Sequence, residues 1–161
     1  EVAVNAVSTL SALAGSRGMI GGQVIDLLNE NNSDADFDNL KLMDNLKTGA
    51  LIEAACVMGC IAAGADAEKI SAASEFAQKI GLAFQIKDDI LDVESTTEEL
   101  GKPIGSDDKR DLTTYVTLFG IDGAKEKLDE HTKLAKDALT PFGDKAEFLL
   151  QFADMLLNRK N

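Results

Sequence analysis

Four residues near the middle of the chain, Gln85, Asp88, Asp89 and Asp92, fall at i, i+3, i+4 and i+7. On an α-helix that spacing puts them on one face. The residues around them, Phe84, Ile86, Ile90, Leu91 and Val93, are apolar, so a polar stripe runs along a helix that otherwise reads as buried. Three carboxylates this close repel one another and, if buried, favour their protonated forms. Such a stripe needs open water or cations. Mg²⁺ prefers oxygen ligands, keeps several waters and commonly shares a substrate phosphate. The stripe is therefore suited to be half of a Mg²⁺–phosphate site. The competing reading is a solvated acidic face, which the apolar flanks disfavour.

Other residues invite a chemical reading. Lys47 lies in an apolar helix beside Gly49, where a charge needs a reason. Gln23 and Asp26 sit at i, i+3 on another helix and could orient Lys47 or bridge to water; a buried structural hydrogen bond fits them equally well. Cys56 and Cys60, the only cysteines, lie one turn apart in an apolar run and read as buried small side chains. A zinc site would need more ligands, and the single histidine, His131, is distant in sequence. Asp34, Asp36 and Asp38 alternate as in a calcium loop, but Asn39 and Asn45 stand where an EF-hand needs Gly and Glu. They read as a loop and a helix start.

The elements that must position these residues are all helices. Periodicity and breakers predict helices over Val2–Ala14 and Met19–Asn29, a loop over Asn31–Asp36, and a helical segment from Phe37 to Gly64 with a kink at Lys47–Gly49. A long helix over Ala67–Val93, capped by Asp66, carries the aspartate stripe. Glu94–Asp111 is charged and contains Gly101, Pro103 and Gly105; it reads as a functional loop that orders over an anionic ligand, with Thr96–Leu100 as a possible helical turn. Helices over Leu112–Phe119, Gly123–Leu139 (capped by Asp122) and Lys145–Leu157 (capped by Asp144) follow.

Composition supports an all-α fold. The 161 residues are 45% hydrophobic, with no Trp, one Tyr and two Pro. A formal net charge of −12 is a poor match for nucleic acid, which is bound through Lys and Arg. Phosphate handling stays open if cations reverse the local sign. No disulfide framework or signal peptide is apparent, so the expectation is a cytoplasmic protein. The run Leu51–Ala65 contains Glu53, is too short to span a bilayer, and reads as a buried core helix without stable membrane insertion.

At this point a family resemblance is specific. Phe84-Gln85-x-x-Asp88-Asp89-x-x-Asp92 resembles the second aspartate-rich motif of the trans-isoprenyl diphosphate synthases, such as farnesyl and geranylgeranyl diphosphate synthases. The supporting motifs occur in the family's order: Gly22-Gln23-Val24-Ile25-Asp26 resembles GQxxD, and Lys47-Thr48-Gly49 resembles KTG. Leu100-Gly101-Lys102 and Gly105-Ser106-Asp107 resemble LGK and GxD. The likeness covers essentially the whole chain. It implies a helical bundle of the isoprenoid synthase type and condensation of an allylic diphosphate with isopentenyl diphosphate by ionisation, condensation and elimination. It further implies Asp88, Asp89 and Asp92 as Mg²⁺ ligands, directly or through water. Lys47 and Lys102 would contact the diphosphate, and Thr48 and Gln85 would offer oxygens to the carbocation. Gln23 and Asp26 would serve the substrate site, and the whole enzyme is expected to be a homodimer. Leu112 stands where many members have Lys; Lys109 and Arg110 are near enough in sequence to compensate.

The family's first aspartate-rich motif has no counterpart in this sequence, and the chain opens with Glu1 inside a helical pattern. The expectation is the C-terminal part, residues 1–161, of one all-α prenyltransferase domain, inactive by itself. The alternatives are a non-catalytic regulatory subunit, a terpene cyclase, and a helical interaction module with an acidic stripe. A regulatory subunit would be expected to lose the metal motif, and a cyclase usually carries an Asn/Ser-containing one.

Overall fold

The structure, a computed structural model, describes residues 1–29, 36–94 and 113–159. Every regular element among them is helical. Helices α1 (Val2–Ala14) and α2 (Met19–Asn29) are followed by α3 (Phe37–Asp44), a π-helical turn (Asn45–Gly49) and α4 (Ala50–Ala62). Next come α5 (Ala67–Glu94), α6 (Tyr115–Ala138), a 3₁₀ stretch (Thr140–Ala146) and α7 (Glu147–Asn158).

Helix α5 is the axis of the bundle. It starts where Gly64 takes φ +69° and Asp66 accepts the Lys69 N–H at 2.9 Å. Its contacts with α6 are the most extensive in the chain, and those with α4 come next. Phe76, Ala77, Ile80, Ile86 and Ile90 are buried all round it. A helix covered on most sides shows little amphipathic pattern. Each large apolar side chain removed from water there stabilises the fold by about 1.5–3 kcal/mol. Glu53 has a partner in the bundle: Ser74 Oγ donates to it at 2.6 Å and Gln78 Nε2 at 3.1 Å, which ties α4 to α5.

Several expectations change. No kink occurs at Gly49, whose φ of −59° and ψ of −41° are helical; the helix widens into a π turn instead. The close approach is felt at Gly81 of α5, where a Cβ would stand 3.0 Å from the Gly49 Cα; a Cβ on Gly49 itself would meet nothing nearer than the Asp44 carbonyl at 3.7 Å. The two helices expected over 112–139 run as one element, with the break at Gly120 (φ +69°) rather than at Asp122. Its cap is Thr114, which exchanges hydrogen bonds with Thr117. Asp144 caps nothing: it lies inside the 3₁₀ stretch, and α7 begins after Ala146. Cys56 and Cys60 are half-buried and line a cavity of about 650 Å³ near the start of α5, with Phe142 and Leu149 on its other side. The α4 segment is covered on one face only, through Ala50 and Ala54, while Leu51 and Ala55 are exposed. By length and composition alone, the helical stretch Phe37–Ala62 could cross a membrane. The loop expected over Asn31–Asp36 lies outside the described residues except for Asp36, which caps α3 by accepting the Asn39 N–H at 2.9 Å. The segment after Glu94, through Asp111, is outside them as well.

Candidate active site

The site grows from a close approach of two backbones. Gly22 of α2 sits so near the π turn that a Cβ would lie 2.2 Å from the Lys47 nitrogen. Only a residue without a side chain fits. One turn after Gly22, Asp26 accepts a 2.7 Å ion pair from Lys47 Nζ, and Gln23 Nε2 donates to the same oxygen at 3.4 Å. The structure thus brings Gln23, Asp26 and Lys47 together. Thr48 lies half-buried in the π turn. Such turns shift the backbone ladder from i→i+4 to i→i+5 pairing and recur at functional sites.

The aspartate stripe lies on the last two turns of α5. Asp88 is half-exposed and pairs with Arg159, which follows α7, at 2.7 Å. Asp89 accepts the Tyr115 backbone N–H at 2.7 Å. Tyr115 opens α6, so this carboxylate sits at a helix N-terminus, where the exposed N–H dipoles favour negative charge. Asp92 is buried at 4% exposure. Gln85, on the same stripe, is half-buried. Lys102 lies outside the described residues, as do Lys109, Arg110 and Leu112.

A residue that the sequence did not single out joins the two halves. Asp44, the last residue of α3, is 4% exposed. Burial, followed by the charges of Asp89 and Asp26, pushes its carboxyl up to about 8; Lys47 and the Tyr115 hydroxyl act in the opposite direction. The same burial, with the charges of Asp44 and Asp89, holds the Tyr115 phenol protonated. Asp44 interacts with that hydroxyl, although no partner among the described residues meets it at regular hydrogen-bonding geometry. Asp44 escaped notice because the π turn changes the helical phase between it and Lys47. A buried acid on an apolar face was the one available signal.

Asp26, Asp44 and Asp89 therefore form an acidic pocket in which the charge of Lys47 leaves Asp44 still raised. Among the described residues no three His, Cys, Asp or Glu side chains converge as a ready metal cage. The stripe Asp88, Asp89 and Asp92 beside this pocket nevertheless fits Mg²⁺ chemistry: its donors are all oxygen, its charge is negative, and Asp88 and Asp89 are already held by second partners. What it lacks for a complete site is further oxygen ligands, which a diphosphate can provide.

Known proteins are similar to this chain along nearly its whole length. The polyprenyl synthetase family profile matches residues 3–146. A geranylgeranyl diphosphate synthase from Cyanophora paradoxa is 38% identical over 161 residues, covering 100% of this chain and 54% of that protein. A farnesyl diphosphate synthase from Bacillus subtilis is 37% identical over 159 residues, covering 99% of this chain and 53% of that protein. The chain thus spans about half the length of the relatives it matches. The crystal structure of a Helicobacter pylori geranyltransferase, complexed with magnesium and isoprenyl diphosphate, superposes with a TM-score of 0.80 at 32% identity. That match covers 98% of this chain and 51% of the other. With the profile spanning nearly its whole length and relatives this similar along all of it, the chain belongs to the polyprenyl synthetase family.

Proposed function

We propose that the whole protein is a Mg²⁺-dependent prenyltransferase that condenses an allylic diphosphate with isopentenyl diphosphate, and that this chain supplies the allylic side of its site. The supporting observation is the charge cluster that links three helices: Lys47 held on Asp26, and Asp89 coupled to both through the buried Asp44. The relatives' names and the magnesium and isoprenyl diphosphate of the Helicobacter structure point the same way.

Asp88, Asp89 and Asp92 are the residues that would hold Mg²⁺. When bound, the metal would supply Lewis-acid neutralisation of the diphosphate oxygens. Lys47, kept in place by Asp26 and Gln23, binds the diphosphate, and Lys102 adds a second cation. As the allylic C–O bond breaks, negative charge moves onto the diphosphate, where these fixed cations stabilise it without reorganising. Thr48 and Gln85 offer oxygens to the positive carbon left behind. The double bond of isopentenyl diphosphate attacks that carbon, a C–C bond forms, and the departing diphosphate takes the proton lost from the adduct. Apolar bundle walls exclude water from the cation. The working form is a cytoplasmic homodimer without stable membrane insertion, and the chain by itself lacks the isopentenyl side and is inactive.

The test is Asp88→Ala in the whole protein, assayed for condensation of isopentenyl with allylic diphosphates. Turnover should fall on the order of 10²-fold or more, the scale for losing one preorganised electrostatic stabiliser. Near-normal rates at saturating Mg²⁺ would remove Asp88 from the site. A wild-type protein without condensation activity would favour a non-catalytic subunit instead.

A further inference from the structure

Arg159 holds Asp88 in three ways. Its guanidinium donates to the Asp88 carboxylate at 2.7 Å and, through the same nitrogen, to the Phe84 carbonyl at 3.0 Å. Its plane covers the Phe84 ring, with 3.9 Å from Cζ to the ring centroid. Phe84 lies one turn before Asp88, so its carbonyl is the regular helical partner of the Asp88 backbone N–H. Arg159 therefore grips both the side chain and the turn beneath it. Its own backbone has left α7 and is extended (φ −64°, ψ 148°). Only the side chain reaches back, across 71 residues of sequence. The guanidinium is largely covered, at 16% exposure against 48% for Asp88, and its Nε is buried without an acceptor among the described residues.

Two of these three contacts do not involve the Asp88 carboxylate. The ring and the Phe84 carbonyl can keep Arg159 seated while Asp88 turns away. A half-exposed ion pair of this kind is weak enough to exchange, yet a cation arriving at Asp88 has to displace it. Resting on the metal role proposed above for Asp88, we propose that Arg159 is a positioning residue that latches Asp88, competing with the divalent cation for its carboxylate and holding the turn in register until the metal binds. The pair is an electrostatic stand-in: a fixed guanidinium neutralises the carboxylate that a mobile cation would otherwise neutralise. A purely structural Arg159 would instead support the turn in both states and favour metal binding.

The two roles predict opposite signs. Mn²⁺ binding to the whole protein, without substrate, is measured by electron paramagnetic resonance and by titration calorimetry. Arg159→Gln should bind Mn²⁺ about fivefold more tightly than wild type, the scale for removing a competing pair with one half-exposed partner. Arg159→Lys keeps the charge, loses the ring stacking and should lie between the two. In an Asp88→Asn background, Arg159→Gln should change nothing. Unchanged or weaker Mn²⁺ binding in Arg159→Gln, with a thermal melt like that of wild type, would overturn the latch. If Arg159→Gln fails to fold, Arg159→Lys decides: affinity equal to or below wild type overturns the proposal. Absence of Mn²⁺ binding in wild type and variants, even with inorganic pyrophosphate added, would refute the metal role of Asp88 itself and the latch with it.

Discussion

Replacing Asp44 by Asn should make the protein more stable in alkali while leaving it nearly unchanged in mild acid. In the folded protein the carboxyl is pushed up to about 8 from an ordinary 3.8, mainly by burial and then by Asp89. At neutral pH the folded state therefore keeps a proton that the unfolded chain releases. Stability must fall as pH rises through the window between those two values, and level off above it. Each unit is worth about 1.4 kcal/mol, so roughly four units set a ceiling of about 6 kcal/mol. Relaxation of side chains and entry of water cut such figures, and an observed loss of about 2–3 kcal/mol is expected. The amide of the Asp44→Asn variant has no such proton to lose, so its profile should be flat across the window. Urea unfolding of the whole protein in chelator, followed by circular dichroism from about pH 5 to pH 9, measures both curves. The two proteins should agree near the acid end and separate by about 2–3 kcal/mol at the alkaline end, the variant being the more stable. Parallel curves would show that Asp44 is ionised throughout and that the acidic pocket is more polar than its burial implies.

Gly22→Ala would force a methyl group to 2.2 Å from the Lys47 nitrogen. We expect a loss of about 3 kcal/mol or more in a thermal or urea melt, at or beyond the upper end for overpacking; an unchanged Tm would mean that α2 can back away freely. His131 is buried, its Nδ1 has no partner among the described residues, and burial outweighs Glu130 to hold its imidazole below 6.5. The folded state thus favours the neutral ring, and stability should fall as pH drops below about 6.5. His131→Leu should remove that acid-side slope while leaving the unfolding free energy from urea melts near pH 7 within about 1 kcal/mol of wild type; persistence of the slope would assign it to another group. The isolated chain exposes Val4, Val7, Leu10, Val24, Leu27 and Leu28 on α1 and α2. It should self-associate in sedimentation, and a monodisperse monomer would count against that.

Helix starts were legible where a side chain or a glycine sets them. Asp66 and Gly64 mark the start of α5, and Asp36 marks α3, each with the cap geometry that its residue type suggests. Helix ends set by tertiary packing were not legible. Asp144 looks like a cap, but Phe142 and Leu149 pack into the core cluster and draw the chain through a 3₁₀ stretch before α7 begins. The aspartate stripe was visible because its spacing is local to one helix. Asp44 and Arg159 were not, because each reaches the site from an element remote in sequence: Asp44 through the change of phase that follows it, and Arg159 from 71 residues beyond Asp88. The local regularity that reveals a motif says nothing of the residues that close around it.

The π turn also acts as a counter of residues. Continued from Leu40 and Asp44 at ordinary helical spacing, the inward positions would fall at Leu51 and Ala55, yet those two face outward and Ala50 and Ala54 face in. The π turn holds about one residue more than an ordinary helical turn, so the phase beyond it is not that of a regular helix. Deleting one residue between Asn45 and Gly49 would let the turn close as ordinary α-helix, joining α3 and α4 while leaving α4 near its present phase. An insertion of one residue has no such outlet. It would rotate everything beyond by about 100° and shift it by about 1.5 Å. Ala50 and Ala54 would leave the core, and Glu53 would arrive where a methyl group now sits. At this point of the chain, length carries information that no substitution can restore.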